Sequence, residues 1–131
     1  MQPLLFDLIY KMLRIVKWFF WWEANKTINK KACKELVCFV EKAQSLSPKQ
    51  QVIEYDKIYH HTLKKLWYEG TFWEILKLKP KEIKNIQDIW ELHKFRNTLV
   101  HELRDIDERF IIKQGQRYSQ IVDIFVKQVT K

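Results

Sequence analysis

Glycine is almost missing from this chain, with two in 131 residues, and proline appears three times. Tight hairpins lean on glycine at positive φ, and many β-turns on proline at their first central position. So few of either argues against a fold of short strands and tight turns. No stretch alternates polar and apolar residues with period two for long enough to build a sheet. Cysteine is scarce as well. Cys33 and Cys38 are five apart on one expected helix, so they point in different directions and do not suit a bridge. With no further cysteine, a zinc site lacks ligands, and no metal or cofactor is expected. Long uncharged apolar runs are also absent. Residues 4–22 are strongly apolar, but Asp7, Lys11, Arg14 and Lys17 interrupt them every three or four positions. A membrane-spanning helix normally needs about 20 residues with few charges. A secretory signal needs an early basic region and a small-residue cleavage site. Neither pattern fits, so the expected location is cytoplasmic, at most peripheral to a membrane. No glycine-rich phosphate loop, Ser/His/Asp arrangement or cysteine nucleophile can be assembled.

The residues that are present favour a packed helical protein. Hydrophobic side chains make up 47% of the chain and aromatics 15%, ample for the core of one domain. The net charge of +8 points to a polyanionic partner: RNA, DNA or an anionic membrane. That charge is uneven. Residues 1–50 carry nine Lys/Arg against four Asp/Glu, and Lys26, Lys30, Lys31 and Lys34 follow a cluster of tryptophans at helical spacing. The expected division is an aromatic and basic helical segment over 1–46 and a bundle core over 47–131, within one compact unit.

Period and punctuation predict an all-α, up-and-down bundle of four to five helices. The first is expected over 4–22, its four charges confined to roughly 120° of one face. Its wide apolar face must be covered. Docking on the bundle or on a second subunit is expected, and the alternative is an anionic membrane surface met by residues 4–34, with Trp18, Trp21 and Trp22 at headgroup depth. A second helix is expected over 27–45, with Ile28, Ala32, Leu36, Val40 and Ala43 inward. No glycine or proline separates the two. Ser47, Pro48 and Gln50 read as cap, first turn and capping box of a third helix reaching 68, presenting Val52, Tyr55, Tyr59, Leu63 and Leu66. Gly70 ends it, and Thr71 with Glu74 opens a short helix to 78. Asn85 caps a helix over 86–103. A charged loop with an extended piece at 110–112 is expected over 104–113, and a last helix over 114–129 with Ile121, Ile124, Phe125 and Val129 inward.

The helix over 86–103 holds the most informative residues. At about 100° per residue, Arg96 falls in the middle of the arc of Ile89, Leu92, Leu99, Val100 and Leu103. A cation among core positions is unfavourable by several kcal/mol unless something pairs with it. His93, Asn97 and His101 follow at four-residue intervals along the flank of that arc. The apolar positions from Phe95 round to Trp90 cover about 220°, against a little over 100° for an ordinary surface helix. Such a helix is either central to its bundle or shared with a second subunit, and the polar stripe inside the arc favours sharing.

Residues Arg96 to His101 match R-N-x-x-x-H, and the chain in this respect resembles the HEPN superfamily, small helical-bundle proteins with many ribonuclease members. The wider run Trp-Glu-Leu-His-Lys-Phe-Arg-Asn-Thr-Leu-Val-His-Glu also looks like small uncharacterised bacterial helical proteins that carry it behind a helix of the kind expected over 53–66. The resemblance covers about residues 49–127. It implies a metal-independent endoribonuclease with motifs from two protomers facing across a homodimer, and a toxin with a cognate antitoxin is one form this takes. His101 would be the general acid or base, Arg96 would stabilise charge on the phosphate, and Asn97 would orient substrate or histidine. His93 and Lys94 are secondary candidates for substrate contact. The chemistry is coherent, because RNA supplies its own nucleophile in the 2′-hydroxyl and the protein need add only a proton carrier and a fixed cation. Two other functions stay open: a non-catalytic RNA- or protein-binding module, with Arg96 paired to a buried acid such as Glu54 or Asp56, and a membrane-peripheral helical scaffold. His60 and His61, adjacent on one helix, face different ways and make a poor ligand pair.

Overall fold

A computed structural model describes residues 2–24, 28–102 and 105–130, with the side chains of the first segment described over 4–19. The described residues form six helices and no strand: α1 (Gln2–Ala24), α2 (Lys30–Ala43), α3 (Pro48–Lys65), α4 (Phe72–Lys77), α5 (Ile86–His101) and α6 (Glu108–Val129). The all-α expectation holds, with six helices where four to five were expected.

Local chemistry sets most boundaries. Asn29 turns out of extended backbone and accepts a hydrogen bond from the Ala32 amide at 2.8 Å, giving α2 its own start. This makes α1 and α2 two helices, with α2 starting at Lys30 and not at 27. Pro48 occupies the first turn of α3, where its missing N–H is harmless, but the Ser47 side chain makes no capping bond there. Gln51 instead reaches back to the Gln44 carbonyl at 3.0 Å. Gly70 adopts φ 110° after α3, and a Cβ there would meet Glu74 Oε2 at 2.5 Å. Thr71 caps α4 by accepting from the Glu74 amide at 3.1 Å.

Helix α3 is the centre, packed against α2, α5 and α6. It buries Val52, Tyr55, Tyr59, Leu63 and the following Leu66, while α2 contributes the expected row of Ala32, Leu36, Val40 and Ala43 behind Ile28. The wide arc of α5 therefore does not make it the central helix; Ile89, Leu92 and Leu99 face the core, and Val100 is 44% exposed. Leu103 lies outside the described residues.

Two expectations at the C-terminal end are corrected. The segment 110–112 is helical, because Asp107 accepts from the Arg109 amide at 3.0 Å and starts α6 six residues early. Phe110 then meets Phe95 of α5 edge-on, ring centroids 5.2 Å apart. The buried face of α6 is Tyr118, Val122, Phe125 and Val126, which turns Ile124 outward to 65% exposure. Arg117 ties α6 to α5 through Asp88 and, at 3.2 Å, Glu91.

Over its described side chains, helix α1 is not covered by this bundle. Every side chain from Leu4 to Phe19 is exposed, so the expected cover within one copy is not formed. Phe20, Trp21, Trp22 and Lys26 lie outside what is described of side chains. No described helix is long and apolar enough to cross a membrane.

Candidate functional site

One carboxylate organises the polar residues of the core. Asp56 sits on α3 between Tyr55 and Tyr59, 4% exposed. It accepts a hydrogen bond from the Tyr118 hydroxyl of α6 at 2.7 Å and from His93 Nδ1 of α5 at 3.0 Å. A buried carboxylate needs such donors to replace water. The bond to Nδ1 fixes that nitrogen as the protonated one and sets the ring. Phe72 lies across the ring, centroids 4.6 Å apart. Burial first, and the Asp56 charge after it, push the Tyr118 hydroxyl well above the usual tyrosine range, so it remains a donor.

Arg96 is the third neighbour. Its Nε lies 3.7 Å from Asp56 Oδ2, beyond hydrogen-bond reach but close for opposite charges, and Nη1 donates to Asn97 Oδ1 at 2.9 Å. Nε itself is buried with no hydrogen-bond partner among the described residues. The side chain as a whole keeps 25% exposure. Glu54, the other acid considered for Arg96, points elsewhere and pairs with Lys57 at 3.2 Å.

The sequence-level candidates thus fall into two groups. Arg96 and Asn97 touch each other, and Arg96 and His93 share Asp56. His101 and Lys94 are exposed. No hydrogen bond joins His101 to Arg96 or Asn97. Five residues of helix separate Arg96 from His101, which is about 140° around the axis and roughly 7.5 Å along it. His93, a secondary candidate for substrate contact, is instead a core residue at 8% exposure. The roles of Asp56 as hub and Tyr118 as donor were missed. The signal was there in Asp56, an acid flanked on the apolar arc of its helix by Val52, Tyr55, Tyr59 and Leu63.

Among the described residues, no group of three or more His, Cys, Asp or Glu side chains is placed to hold a metal ion. An apolar groove of about 430 Å³ runs between α2 and α3 over Phe39, Ala43, Leu46 and Ile58, with Lys42, Glu54 and Lys57 among its lining residues. It is separate from the Asp56 cluster. No family model, curated protein or solved structure matches the chain.

Proposed function

We propose that this chain is a HEPN-like helical protein that cleaves RNA without a metal, using Arg96, Asn97 and His101. The observation that carries this is the state of Arg96: facing the Asp56 carboxylate at 3.7 Å on its core side and hydrogen-bonded to Asn97, yet still one-quarter exposed on the helix that bears the exposed His101. A cation fixed before substrate arrives stabilises charge developing on a phosphate without reorganising. The 2′-oxygen attacks phosphorus and the bond to the 5′-oxygen breaks. One proton leaves the 2′-hydroxyl for a base and one is delivered to the departing 5′-oxygen, leaving a 2′,3′-cyclic phosphate and a 5′-hydroxyl. His101 is the imidazole of the motif, the side-chain type suited to general acid–base work.

Because Arg96 and His101 project from different sides of α5, the reading uses a second copy. Phe95 is half-buried and Val100 and Phe110 are exposed, leaving apolar surface on α5 and the start of α6 for a two-fold partner. A dimer would let the Arg96 of one protomer work with the His101 of the other. Light scattering should give twice 16.2 kDa. A toxin held by an antitoxin is one biological form of this activity.

A second reading rests on the same ion pair. Three-quarters of the Arg96 side chain is buried beside a carboxylate, which suits a structural cation in a non-catalytic binding module. The experiment is RNA cleavage by the purified full chain in EDTA. Wild type should cut single-stranded RNA and spare DNA, and His101→Ala should lose about 10²–10⁴-fold in rate. Intact RNA with a wild-type dimer that still binds it would select the non-catalytic module.

A further inference from the structure

Helix α1 presents twelve large hydrophobic side chains between Leu4 and Phe19, each at least 45% exposed. A monomer rarely exposes a contiguous apolar patch beyond a few hundred Å² unless something binds there. The charges are not scattered among them. Over residues 4–19, Asp7, Lys11, Arg14 and Lys17 fall within roughly 120°, Asp7 and Lys11 pairing at 3.1 Å, and the remaining 240° or so of that stretch carries no charge, the next charged residue being Glu23 near the helix end.

We propose that α1 lies in the plane of an anionic lipid surface, its apolar arc at the acyl boundary and Arg14 and Lys17 among the headgroups. This inference does not depend on the ribonuclease reading. Three observations select lipid over other occupants. A second α1 would cover an arc of a little over 100°, leaving about half of the apolar face in water, whereas a lipid interface covers it all at once. The bundle's own apolar groove, about 430 Å³, is far too small for the apolar face of a helix roughly 35 Å long. The charge is of the sign that anionic headgroups attract: residues 1–34 hold seven Lys/Arg against two Asp/Glu, and Lys30, Lys31 and Lys34 are exposed on α2. The five charged residues of α1, Asp7, Lys11, Arg14, Lys17 and Glu23, favour a place on the surface over a path through the bilayer.

The test is flotation of the full chain with vesicles of phosphatidylglycerol and phosphatidylcholine, against phosphatidylcholine alone. Wild type should float with the anionic vesicles and lose most binding at high salt. Arg14→Gln with Lys17→Gln should weaken binding roughly 30-fold, and Leu5→Asp with Val16→Asp, at the centre of the apolar arc, should abolish it. Since these side chains are exposed, all variants should keep the wild-type denaturation midpoint. A thiol at Asp7→Cys, in the polar stripe, on a Cys33→Ser, Cys38→Ser background, should stay reactive to an impermeant maleimide added outside. Protection of that thiol would mean insertion across the bilayer and overturn the in-plane placement. Wild type that fails to float, with a solution mass that falls on Leu5→Asp and Val16→Asp, would make α1 a self-association helix. Charge variants that float normally but bind RNA less would assign the stripe to nucleic acid. Each of these last two results overturns the proposal.

Discussion

Replacing Asp56 by asparagine probes the centre of the fold with almost no change of volume. In the wild type its carboxylate accepts from Tyr118 at 2.7 Å and from His93 at 3.0 Å, with Arg96 at 3.7 Å. Asparagine offers one carbonyl oxygen and a pair of donors. One of the two partners keeps an acceptor; the other meets an N–H and is left buried and unsatisfied. A hydrogen bond to a charged group contributes about 1.5–3 kcal/mol, and a neutral one about 0.5–1.5. Losing one charged bond and weakening the other comes to about 2–4 kcal/mol. Arg96 loses its counter-charge too, but part of its side chain reaches water, which limits that loss to about 1 kcal/mol. Asp56→Ala removes both bonds and should approach about 3–5 kcal/mol. Against a typical total of about 5–15 kcal/mol, these changes are large.

Equilibrium unfolding in urea, followed by far-ultraviolet circular dichroism and tryptophan fluorescence, reads this directly. Asp56→Asn should move the midpoint with little change of slope. Tyr118→Phe removes one of the same bonds, so the double variant should be less destabilised than the sum of the singles by about 1–2 kcal/mol. An Asp56→Asn protein within about 0.5 kcal/mol of wild type, or strict additivity with Tyr118→Phe, would refute the view of Asp56 as the shared acceptor.

Gly115 lies buried in α6, where a Cβ would meet Gln51, Val52 and Pro48 at 3.7–3.8 Å, ordinary contact distances; Gly115→Ala should raise stability by up to about 1 kcal/mol, read as a higher Tm. His60 and His61 are both held below the ordinary histidine value, chiefly by burial, so the unfolded chain takes up protons first as pH falls. Stability should therefore be full above about pH 6.5 and decline below it toward the folded values, and His60→Asn with His61→Asn should flatten that decline in a Tm series. His101→Ala touches an exposed side chain and should leave the unfolding midpoint within about 0.5 kcal/mol of wild type while removing RNA cleavage; a cleavage rate unchanged by it would exclude His101 as the proton carrier. Arg96→Ala should destabilise by about 1–3 kcal/mol, less than Asp56→Ala, because Asp56 keeps its other two donors.

The helical class and most of the core were legible in periodicity. Every residue named inward on α2 and α3 is buried, since those helices each face the core with one row and a 3.6-residue period identifies that row. On α6, Phe125 is buried and Ile121 and Val129 pack half-buried against the core as expected, and only Ile124 faces outward. A loop expected over 104–113 hid the Asp107 cap, and Tyr118, a polar-ended aromatic, was passed over in favour of Ile124. An aliphatic scale ranks isoleucine above tyrosine, but the buried position needed a hydroxyl. Covering α1 within one copy failed for another reason. The pattern says that an apolar arc must be covered and carries no information about by what.

Arg96 shows how far a single sequence reaches. Its position on the apolar arc of α5 required a partner, and two acids of α3 were within the right stretch of chain. Choosing between Glu54 and Asp56 needed the relative rotation of two helices, which depends on all of their contacts together. The composition of the arc on α3 could have narrowed the choice, since Asp56 stands among buried residues and Glu54 does not. Once Asp56 is the partner, His93 changes meaning as well. An imidazole three residues before the arginine reads as a candidate for substrate, but its Nδ1 proton is already committed to Asp56 and its ring lies against Phe72. Holding α5 against α3 is the role these contacts support. That leaves the outward end of Arg96, with Asn97 and His101, as the part of the motif in contact with solvent. A polyanion approaching this helix therefore meets a cation whose position is set from the core side by Asp56.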